Sequence, residues 1–130
     1  MVLDTSAIFA ILSRETVAER LIAAVDADPT RLISAATVVE MTLVILGRYG
    51  EAGEPMLDRF IRGIGAEVVD VDEEQTAVAR DAAIRYGRGR HAAGLNFGDC
   101  FSYALAVVRN EPLLFTGKDF AQTDVAVSSW

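Results

Sequence analysis

The feature of the sequence that most constrains its fold is an alternation between short apolar segments and longer stretches with apolar residues at helical spacing. The apolar segments are "VLD" at residues 2–4, "RLISA" at 31–35, "AEVVDV" at 66–71 and "EPLLFTG" at 111–117. Strands that alternate with helices usually pair in parallel and are covered by helices on both faces. We therefore predict an α/β fold, a three-layer α/β/α sandwich with a mainly parallel sheet of four strands. The segment "DVAVSS" at 124–129 could add a fifth strand at the edge.

The helical pattern occurs in the intervening stretches, which are residues 7–12, 15–27, 36–47, 56–64, 73–86 and 99–110. Thr5 or Ser6 can cap the first of these helices, and Asp72 can cap the fifth. A glycine-rich loop, "GRGRHAAGLNFG", separates the last two helices. Because no repeat, low-complexity tract or linker interrupts this order, we predict a single domain spanning residues 1–130.

The composition agrees with one globular domain. The chain has 130 residues, of which 52% are hydrophobic and 24% charged, so it has enough apolar material for a core of ordinary size. No apolar run is long enough to span a bilayer, and the first residues lack the basic region of a signal peptide. Cys100 is the only cysteine, which excludes an intrachain disulfide and favours a reducing compartment. We expect a cytoplasmic protein without a membrane association.

The charge is acidic overall but unevenly distributed. With 12 basic and 19 acidic residues, the formal net charge is −7, which argues against a general nucleic-acid coat and suits a basic partner. One segment is nevertheless basic and contains a single acid, Asp81; its arginines are Arg80, Arg85, Arg88 and Arg90. A local contact with a polyanion is therefore compatible with the acidic total.

An aspartate lies inside the apolar stretch "LNFGDCFSYALA" at residues 95–106. An ionised carboxylate in such surroundings is costly unless something pairs with it. Asn96 could cap the helix, with Asp99 favoured near its start by the helix dipole. That explains why an acid is tolerated there but not why its surroundings are so apolar. We therefore consider Asp99 a candidate functional residue.

Two further acids occupy comparable positions. Asp4 ends the first predicted strand, where it could cap the next helix or belong to a site at the carboxyl edge of the sheet. Glu40 has no charged neighbour three or four residues away in "ATVVEMTLV". Thr37 and Glu40 have the spacing of a capping box, but Ser34 is an equally good cap. The alternative is that Glu40 points from the first or second turn of its helix into a site.

A fourth acid follows the last strand. Asp119 in "LLFTGKDF" could be an ordinary loop residue beside Lys118 or a fourth member of the site, and Asp124 is a weaker candidate for the same position. Carboxylates about 4 Å apart repel by roughly 4 kcal/mol at an effective dielectric constant near 20. A cluster of this kind would take up protons or bind a cation. With one histidine and one cysteine in the chain, oxygen ligands and Mg²⁺ or Mn²⁺ are favoured over zinc or copper.

These segments resemble a known family in their order and sequence. "VLDTSAIFAIL", Glu40 in an apolar helix, "LNFGDCFSYALA" and "LLFTGKDF" together resemble the PIN domain, and more narrowly the VapC toxins of bacterial VapBC toxin–antitoxin modules. The resemblance covers essentially the whole chain. It implies an endoribonuclease that hydrolyses RNA with Mg²⁺ or Mn²⁺ as cofactor, forms homodimers and is inhibited by a cognate VapB antitoxin.

The same resemblance implies catalytic and metal-binding roles for four acids, namely Asp4, Glu40, Asp99 and Asp119. The match of Asp119 is looser, because many relatives have an acid two residues earlier in this loop, where this chain has Gly117. Metals can activate water and stabilise the charge on phosphorus, so no protein nucleophile is required. Ser6 and Thr116 are predicted to support the site by hydrogen bonds, and Arg88 and Arg90 to contact RNA phosphates. His91 could contact RNA, act as an acid or be structural.

Two other classes of function remain open from the residues alone. An enzyme that transfers phosphoryl groups through Asp4 would normally carry a second acid two residues later, as in haloacid-dehalogenase-like enzymes, or adjacent acids, as in response-regulator receivers. This chain has Ser6 at the former position and no paired acids, although Lys118 loosely fits the receiver pattern. A non-catalytic module with an acidic binding face is the other alternative, and in it Glu40 or Asp99 would bind arginine or backbone groups instead of a cation.

Overall fold

The computed structural model describes the backbone of residues 1–130 and every side chain except that of Glu54. Four strands form one sheet: β1 (Val2–Leu3), β2 (Leu32–Ser34), β3 (Glu67–Val69) and β4 (Leu113–Leu114). All neighbours pair in parallel, and the order across the sheet is β3-β2-β1-β4. The predicted parallel α/β architecture is therefore confirmed, with the first strand inside the sheet.

The helices are α1 (Thr5–Leu12), α2 (Ala18–Ala27), α3 (Ala35–Tyr49), α4 (Glu54–Gly63), α5 (Glu73–Tyr86) and α6 (Phe97–Arg109). Two 3₁₀ turns follow α3 and β4, at Gly50–Gly53 and Phe120–Gln122. None of the helices in the described chain is long and apolar enough to cross a membrane.

Successive residues of each short strand point to opposite faces of the sheet, so the two faces carry separate cores. Val2, Leu32 and Leu113 pack on one side with α5 and α6. Leu3 and Ile33 pack on the other side with α1 to α4. Both faces of β1, β2 and β4 are therefore buried, which explains why these strands are continuous apolar segments, whereas the edge strand β3 exposes Glu67 and Val68.

Several helix ends differ from the predicted ones. The second helix begins at Ala18 and not at residue 15, because Arg14 adopts a positive φ of 54° and interrupts the helical path. The last helix begins two residues earlier than predicted, since Asn96 is its N-cap. The first helix is capped by Asp4, whose side chain accepts from the Ser6 N–H, and not by Thr5 or Ser6.

The predicted fifth strand is reduced to one bridge. Residues Leu113 and Val127 form an isolated parallel bridge, closed by hydrogen bonds of 2.8 Å and 3.0 Å between Leu113 and the main chain of Ala126 and Ser128. The C-terminal segment therefore lies along the free edge of β4 without extending the ladder. Beyond this contact the chain reaches α2, where the Arg20 side chain donates to the Trp130 carbonyl at 2.6 Å.

Candidate active site

Asp4 lies at the carboxyl end of β1 and is 2% exposed. One carboxylate oxygen, Oδ2, accepts hydrogen bonds from the Ser6 backbone N–H at 2.9 Å and from the Ser6 hydroxyl at 2.6 Å. The other oxygen, Oδ1, is buried and has no hydrogen-bond partner among the described residues. An unpaired buried carboxylate oxygen is costly, so Asp4 Oδ1 is suited to accept a ligand.

Glu40 lies on the second turn of α3 and is half-buried. The Thr5 hydroxyl donates to its Oε2 at 2.5 Å. Its carboxylate lies against the main chain of Gly98, where an added Cβ would fall within 2.2 Å of both carboxylate oxygens. Ser34 is the N-cap of this helix, so the capping box considered for Thr37 and Glu40 is not formed. Glu40 is instead held between the start of α1 and the start of α6.

Asp99 lies on the first turn of α6 and forms a capping box with Asn96. Its Oδ2 accepts from the Asn96 backbone N–H at 2.7 Å, and its own N–H donates to the Asn96 side chain at 3.0 Å. The pKa of the Asp99 carboxyl is raised from 3.8 to about 6, first by burial and then by the negative charges of Asp4, Glu40 and Asp119, against the lowering effect of the Asn96 N–H. The capping role and the proximity to other acids therefore occur in the same residue.

The two candidates for the fourth acid lie in different surroundings. Asp119 is exposed, at the start of the 3₁₀ turn after β4, and its charge contributes to the raised pKa of Asp99. Asp124 lies elsewhere, where it accepts hydrogen bonds from Arg85 at 2.7 Å and from the Tyr103 hydroxyl at 2.5 Å. The structure thus brings Asp119, and not Asp124, toward the other three acids.

The residues predicted to support the site differ in how they do so. Besides donating to Asp4, the Ser6 hydroxyl accepts from the Thr116 backbone N–H at 3.1 Å. Thr116 therefore contributes through its main chain, and this contact joins the end of β4 to the start of α1. Beneath the site, the buried hydroxyls of Thr37 and Ser102 form a 3.2 Å hydrogen bond between α3 and α6. The helices that carry Glu40 and Asp99 are thus fixed relative to one another.

Arg88, Arg90 and His91 lie on the loop between α5 and α6, and all three are exposed. Neither arginine takes part in a salt bridge with the side chains that the structure describes. The Nδ1 atom of His91 accepts from the Ala93 N–H at 3.1 Å, and its ring packs against Tyr86 with 5.2 Å between the ring centroids. The histidine thus contributes to the shape of the loop.

Cys100 is buried next to Asp99, and its thiol donates to the Asn96 carbonyl at 3.2 Å. Burial, followed by the charge of Asp99, raises the pKa of this thiol. A protonated and buried thiol is a poor nucleophile. Cys100 therefore supports the packing of α6 and is not a candidate for covalent chemistry.

The acids near Asp99 are close enough to interact but do not form a complete metal cage. Among the described side chains, no three Asp, Glu, His or Cys residues lie close enough to share one metal ion. The salt bridges found in the described part of the chain do not include Asp4, Glu40, Asp99 or Asp119. Uncompensated carboxylates and a free Asp4 oxygen fit a cation that binds through few protein ligands and keeps several waters, as Mg²⁺ does.

Sequence reasoning missed two residues that hold Glu40. The sequence indicates Thr5 only as a helix cap and Gly98 only as part of a glycine-rich loop. Both act through the packing of α1, α3 and α6, so no local pattern identifies them. A possible signal was the glycine directly before Asp99, because a glycine within a helix often permits a close approach.

Comparison with known proteins identifies the family of this chain. The PIN domain profile matches residues 1–126. Ribonuclease VapC30 of Mycobacterium tuberculosis is 52% identical over 126 residues, which cover 97% of this chain and 96% of the relative. The chain therefore belongs to the PIN domain family and, within it, to the VapC ribonucleases, as predicted.

Solved structures agree on the fold. The crystal structure of Mycobacterium tuberculosis VapC20, a sarcin-ricin loop cleaving toxin, matches with a TM-score of 0.78 at 18% identity and covers 96% of this chain and 95% of that one. A toxin–antitoxin complex from Klebsiella pneumoniae matches with a TM-score of 0.73 at 18% identity and covers 99% and 97%. Family membership favours a ribonuclease over an aspartyl-phosphate enzyme and over a non-catalytic acidic module.

Proposed function

We propose that this chain is a metal-dependent endoribonuclease and the toxin of a toxin–antitoxin module, and that residues 1–130 act as one PIN-like domain. One observation carries the chemical part of the proposal. In a chain related to VapC ribonucleases, a 2%-exposed aspartate at the end of β1 has a carboxylate oxygen without a partner. Three further acids lie near enough for their charges to interact.

The proposed ligands of the divalent cation, Mg²⁺ or Mn²⁺, are Asp4, Glu40, Asp99 and Asp119. When bound, such a cation supplies an activated water and neutralises the charge that develops on the phosphate during hydrolysis of the phosphodiester bond. Oxygen donors alone suit these metals. The raised pKa of Asp99 supports this assignment, because a cation would relieve the repulsion that contributes to it.

The remaining residues orient the acids. Ser6 donates to one oxygen of Asp4 and leaves the other free for the ligand. In the same way, the Thr5 hydroxyl donates to one carboxylate oxygen of Glu40, and the Asn96 backbone N–H donates to one oxygen of Asp99. Supporting groups of this kind fix the direction of the carboxylates, and their loss typically lowers metal affinity or activity by about 10- to 100-fold.

RNA is the proposed substrate, with Arg88 and Arg90 as phosphate contacts on an otherwise acidic surface. Their lack of salt bridges to described side chains leaves both guanidinium groups available. His91 is the third polar residue of this loop. Its Nδ1 accepts from the Ala93 N–H, so Nε2 is the ring nitrogen proposed to contact RNA.

The proposed partners are a cognate VapB-type antitoxin and a second copy of the chain, in the cytoplasm. A net charge of −7 and a cluster of unpaired carboxylates suit a basic antitoxin segment. An arginine is well adapted to pair with carboxylates through two parallel hydrogen bonds. We expect such a side chain, or a lysine, near Asp4 and Asp99, where it would compete with the metal and partly cover the loop of Arg88 and Arg90.

The decisive experiment measures RNA cleavage by the purified chain with Mg²⁺, with Mn²⁺ and with a chelator, followed by sequencing of the new RNA ends. Cleavage that requires metal and is lost in Asp99→Asn supports the proposal. Equal cleavage in the chelator or in Asp99→Asn would show that another enzyme or another site is responsible. Controlled expression in cells, again with end sequencing, then identifies the RNA that is cut.

The antitoxin is tested by titration into the toxin with and without saturating Mn²⁺. Competition predicts weaker binding of the antitoxin when the metal is present, and loss of inhibition when its basic residues are removed. If metal leaves the affinity unchanged and the neutral antitoxin still inhibits fully, inhibition occurs away from the acids. Light scattering of the free toxin measures the homodimer.

A further inference from the structure

The most exposed large apolar side chain of the described residues belongs to Phe97, which is 82% exposed. It is the first residue of α6 and lies two positions before Asp99. Its ring forms a T-shaped contact with Phe101, with 4.9 Å between the centroids and 74° between the ring planes. An aromatic ring held in this way and left open to solvent beside a candidate active site requires an explanation, because such exposure usually marks an interaction site.

Two cavities share Phe97 and Asn96 in their walls. The first, of about 330 Å³, includes Glu40 and the apolar side chains of Val39 and Leu43. The second, of about 400 Å³, includes Arg88. Phe97 therefore lies between a carboxylate of the candidate active site and an exposed arginine. The ring therefore borders both cavities.

We propose that Phe97 is a stacking platform for an unpaired base of the RNA substrate, with Arg88 contacting a neighbouring phosphate. This inference rests on the proposed ribonuclease function. Single-stranded RNA is commonly bound by stacking of bases on aromatic side chains combined with cationic contacts to its backbone. The combination of an open ring and an arginine in the same cavity matches these two requirements. This cavity adjoins the one that includes Glu40, because Asn96 and Phe97 line both. An RNA strand bound here would therefore extend toward the acids.

The charge of the second cavity favours RNA over a basic peptide. Arg88 would repel a cationic antitoxin segment but attract a phosphate. Among the described side chains it has no carboxylate partner in a salt bridge. A second copy of the chain, itself acidic, or an antitoxin could instead use the apolar wall of the first cavity, and the antitoxin and dimer measurements below test these two occupants.

The test compares four variants on a short single-stranded RNA. Phe97→Ala removes the ring, Phe97→Leu keeps apolar bulk without an aromatic face, and Phe97→Trp keeps an aromatic face. Ile84→Ala is the matched control, because Ile84 is 65% exposed on α5 and lines neither cavity. The readouts are kcat and KM with Mn²⁺, and quenching of a 2-aminopurine base in the RNA in the presence of a chelator, where no cleavage occurs.

We expect Phe97→Ala and Phe97→Leu to lower kcat/KM by about 10- to 100-fold, mainly through KM, and to abolish the quenching. Phe97→Trp and Ile84→Ala should behave as the wild type. Antitoxin affinity and dimer formation are measured in parallel. Phe97→Ala and Phe97→Leu should leave both within about twofold, because the proposal gives the ring a contact with RNA and none with a protein partner.

The outcomes separate this inference from the proposed function. If the wild type cleaves RNA and Phe97→Ala cleaves it with the same kcat/KM, stacking is wrong and the ribonuclease proposal stands. If the wild type cleaves no RNA, the ribonuclease proposal fails, and absence of quenching in the wild type then overturns stacking as well. If Phe97→Leu loses antitoxin affinity or dimer formation but keeps RNA binding, Phe97 is a protein contact and the inference is overturned.

Discussion

Acidic side chains occur in two clusters of this molecule, and the pKa of an aspartate is shifted in opposite directions in the two. Asp124 is paired with Arg85 and Tyr103, and Arg85 also forms a 3.3 Å salt bridge with Asp81. The Tyr103 hydroxyl and then Arg85 lower the pKa of Asp124. Near the carboxyl ends of the strands, by contrast, burial and neighbouring acids raise the pKa of Asp99 to about 6. We call these the compensated group (Asp81, Arg85, Tyr103, Asp124) and the uncompensated group (Asp4, Glu40, Asp99, Asp119).

The difference shows what distinguishes a structural acid from a candidate functional one. In the compensated group a cation and a hydroxyl stabilise the ionised form, so the group needs no external ligand. In the uncompensated group the fold supplies hydrogen bonds from Ser6, Thr5 and Asn96, but none of the described side chains forms a salt bridge with these acids. A buried acid with a raised pKa and no countercharge, such as Asp99, is typical of functional sites. The missing positive charge is what a metal, or an arginine of an inhibitor, would provide.

The largest effect is expected when a charge is removed from the uncompensated group. Asp4→Asn or Asp99→Asn should lower RNA cleavage by about 10²- to 10³-fold or more. The fold should remain intact, and the metal-free protein should be equally or more stable because repulsion is relieved. Cleavage assays with Mn²⁺ and chemical unfolding in a chelator measure the two effects. Asp119→Asn should be less harmful, since its side chain is exposed.

Asp124→Asn is the matched control for these changes, because the same substitution is made in the compensated group. It should keep cleavage and lose stability, the reverse of the pattern for Asp99→Asn. Full activity in Asp4→Asn and Asp99→Asn with metal present would refute the proposed roles. Loss of cleavage in Asp124→Asn without loss of stability would show that the two groups are not functionally separate.

A second change displaces an acid without removing its charge. Gly98→Ala places a Cβ closer to both Glu40 carboxylate oxygens than atoms can approach, so this carboxylate must shift from its position beside Thr5. We expect Mn²⁺ affinity, measured by calorimetry, and cleavage to fall by about 10- to 100-fold. Gly47→Ala is the control: it lies in α3 with no atom within 4 Å of an added Cβ and should stabilise the helix by about 0.5–1 kcal/mol. Unchanged Mn²⁺ affinity in Gly98→Ala would mean that Glu40 is not a ligand.

The pH dependence of stability should have opposite signs in the two groups. Between pH 3.8 and about 6 the folded chain retains the Asp99 proton that the unfolded chain has released. Asp99 therefore makes the free energy of unfolding fall as the pH rises through this window, with no further change above it. Asp124, whose pKa is lowered, contributes stability above the unfolded pKa that is lost as the pH falls through its folded pKa.

Urea unfolding of the metal-free protein at several pH values tests both signs. The difference between wild type and Asp99→Asn isolates the first effect, and the difference between wild type and Asp124→Asn isolates the second. Saturating Mn²⁺ should remove the Asp99 effect, because the metal competes with the proton. If the free energy of unfolding in a chelator depends on pH equally in the wild type and in Asp99→Asn, the raised pKa of Asp99 is contradicted.

The comparison also explains how far the sequence could be used. The alternation of apolar and helical segments predicted the parallel sheet, and the fifth predicted helix coincides with α5 at Glu73–Tyr86, with Asp72 as its cap. The ends of the first and last strands indicated Asp4 and Asp119, whereas Asp99 and Glu40 were indicated by the apolar sequence around them. Asp119 and Asp124 could not be separated, because both follow β4. The choice depends on how the C-terminal segment turns along the sheet edge to reach Arg85, a contact between residues far apart in sequence.

The smallest effect is expected for Tyr103→Phe, which removes one hydrogen bond from the compensated group and leaves its salt bridge in place. Tyr103 is 3% exposed, whereas the Asp124 side chain is 54% exposed and can exchange the lost hydroxyl for water. Stability should therefore fall by about 1 kcal/mol or less, with RNA cleavage unchanged. Tyr49→Phe is the control, because the Tyr49 hydroxyl makes an exposed 3.0 Å contact with Ser13, and its loss should be smaller still. If Tyr103→Phe instead reduced cleavage tenfold at unchanged stability, the compensated group would influence the acids near Asp99, and its interpretation as a purely structural cluster would be wrong.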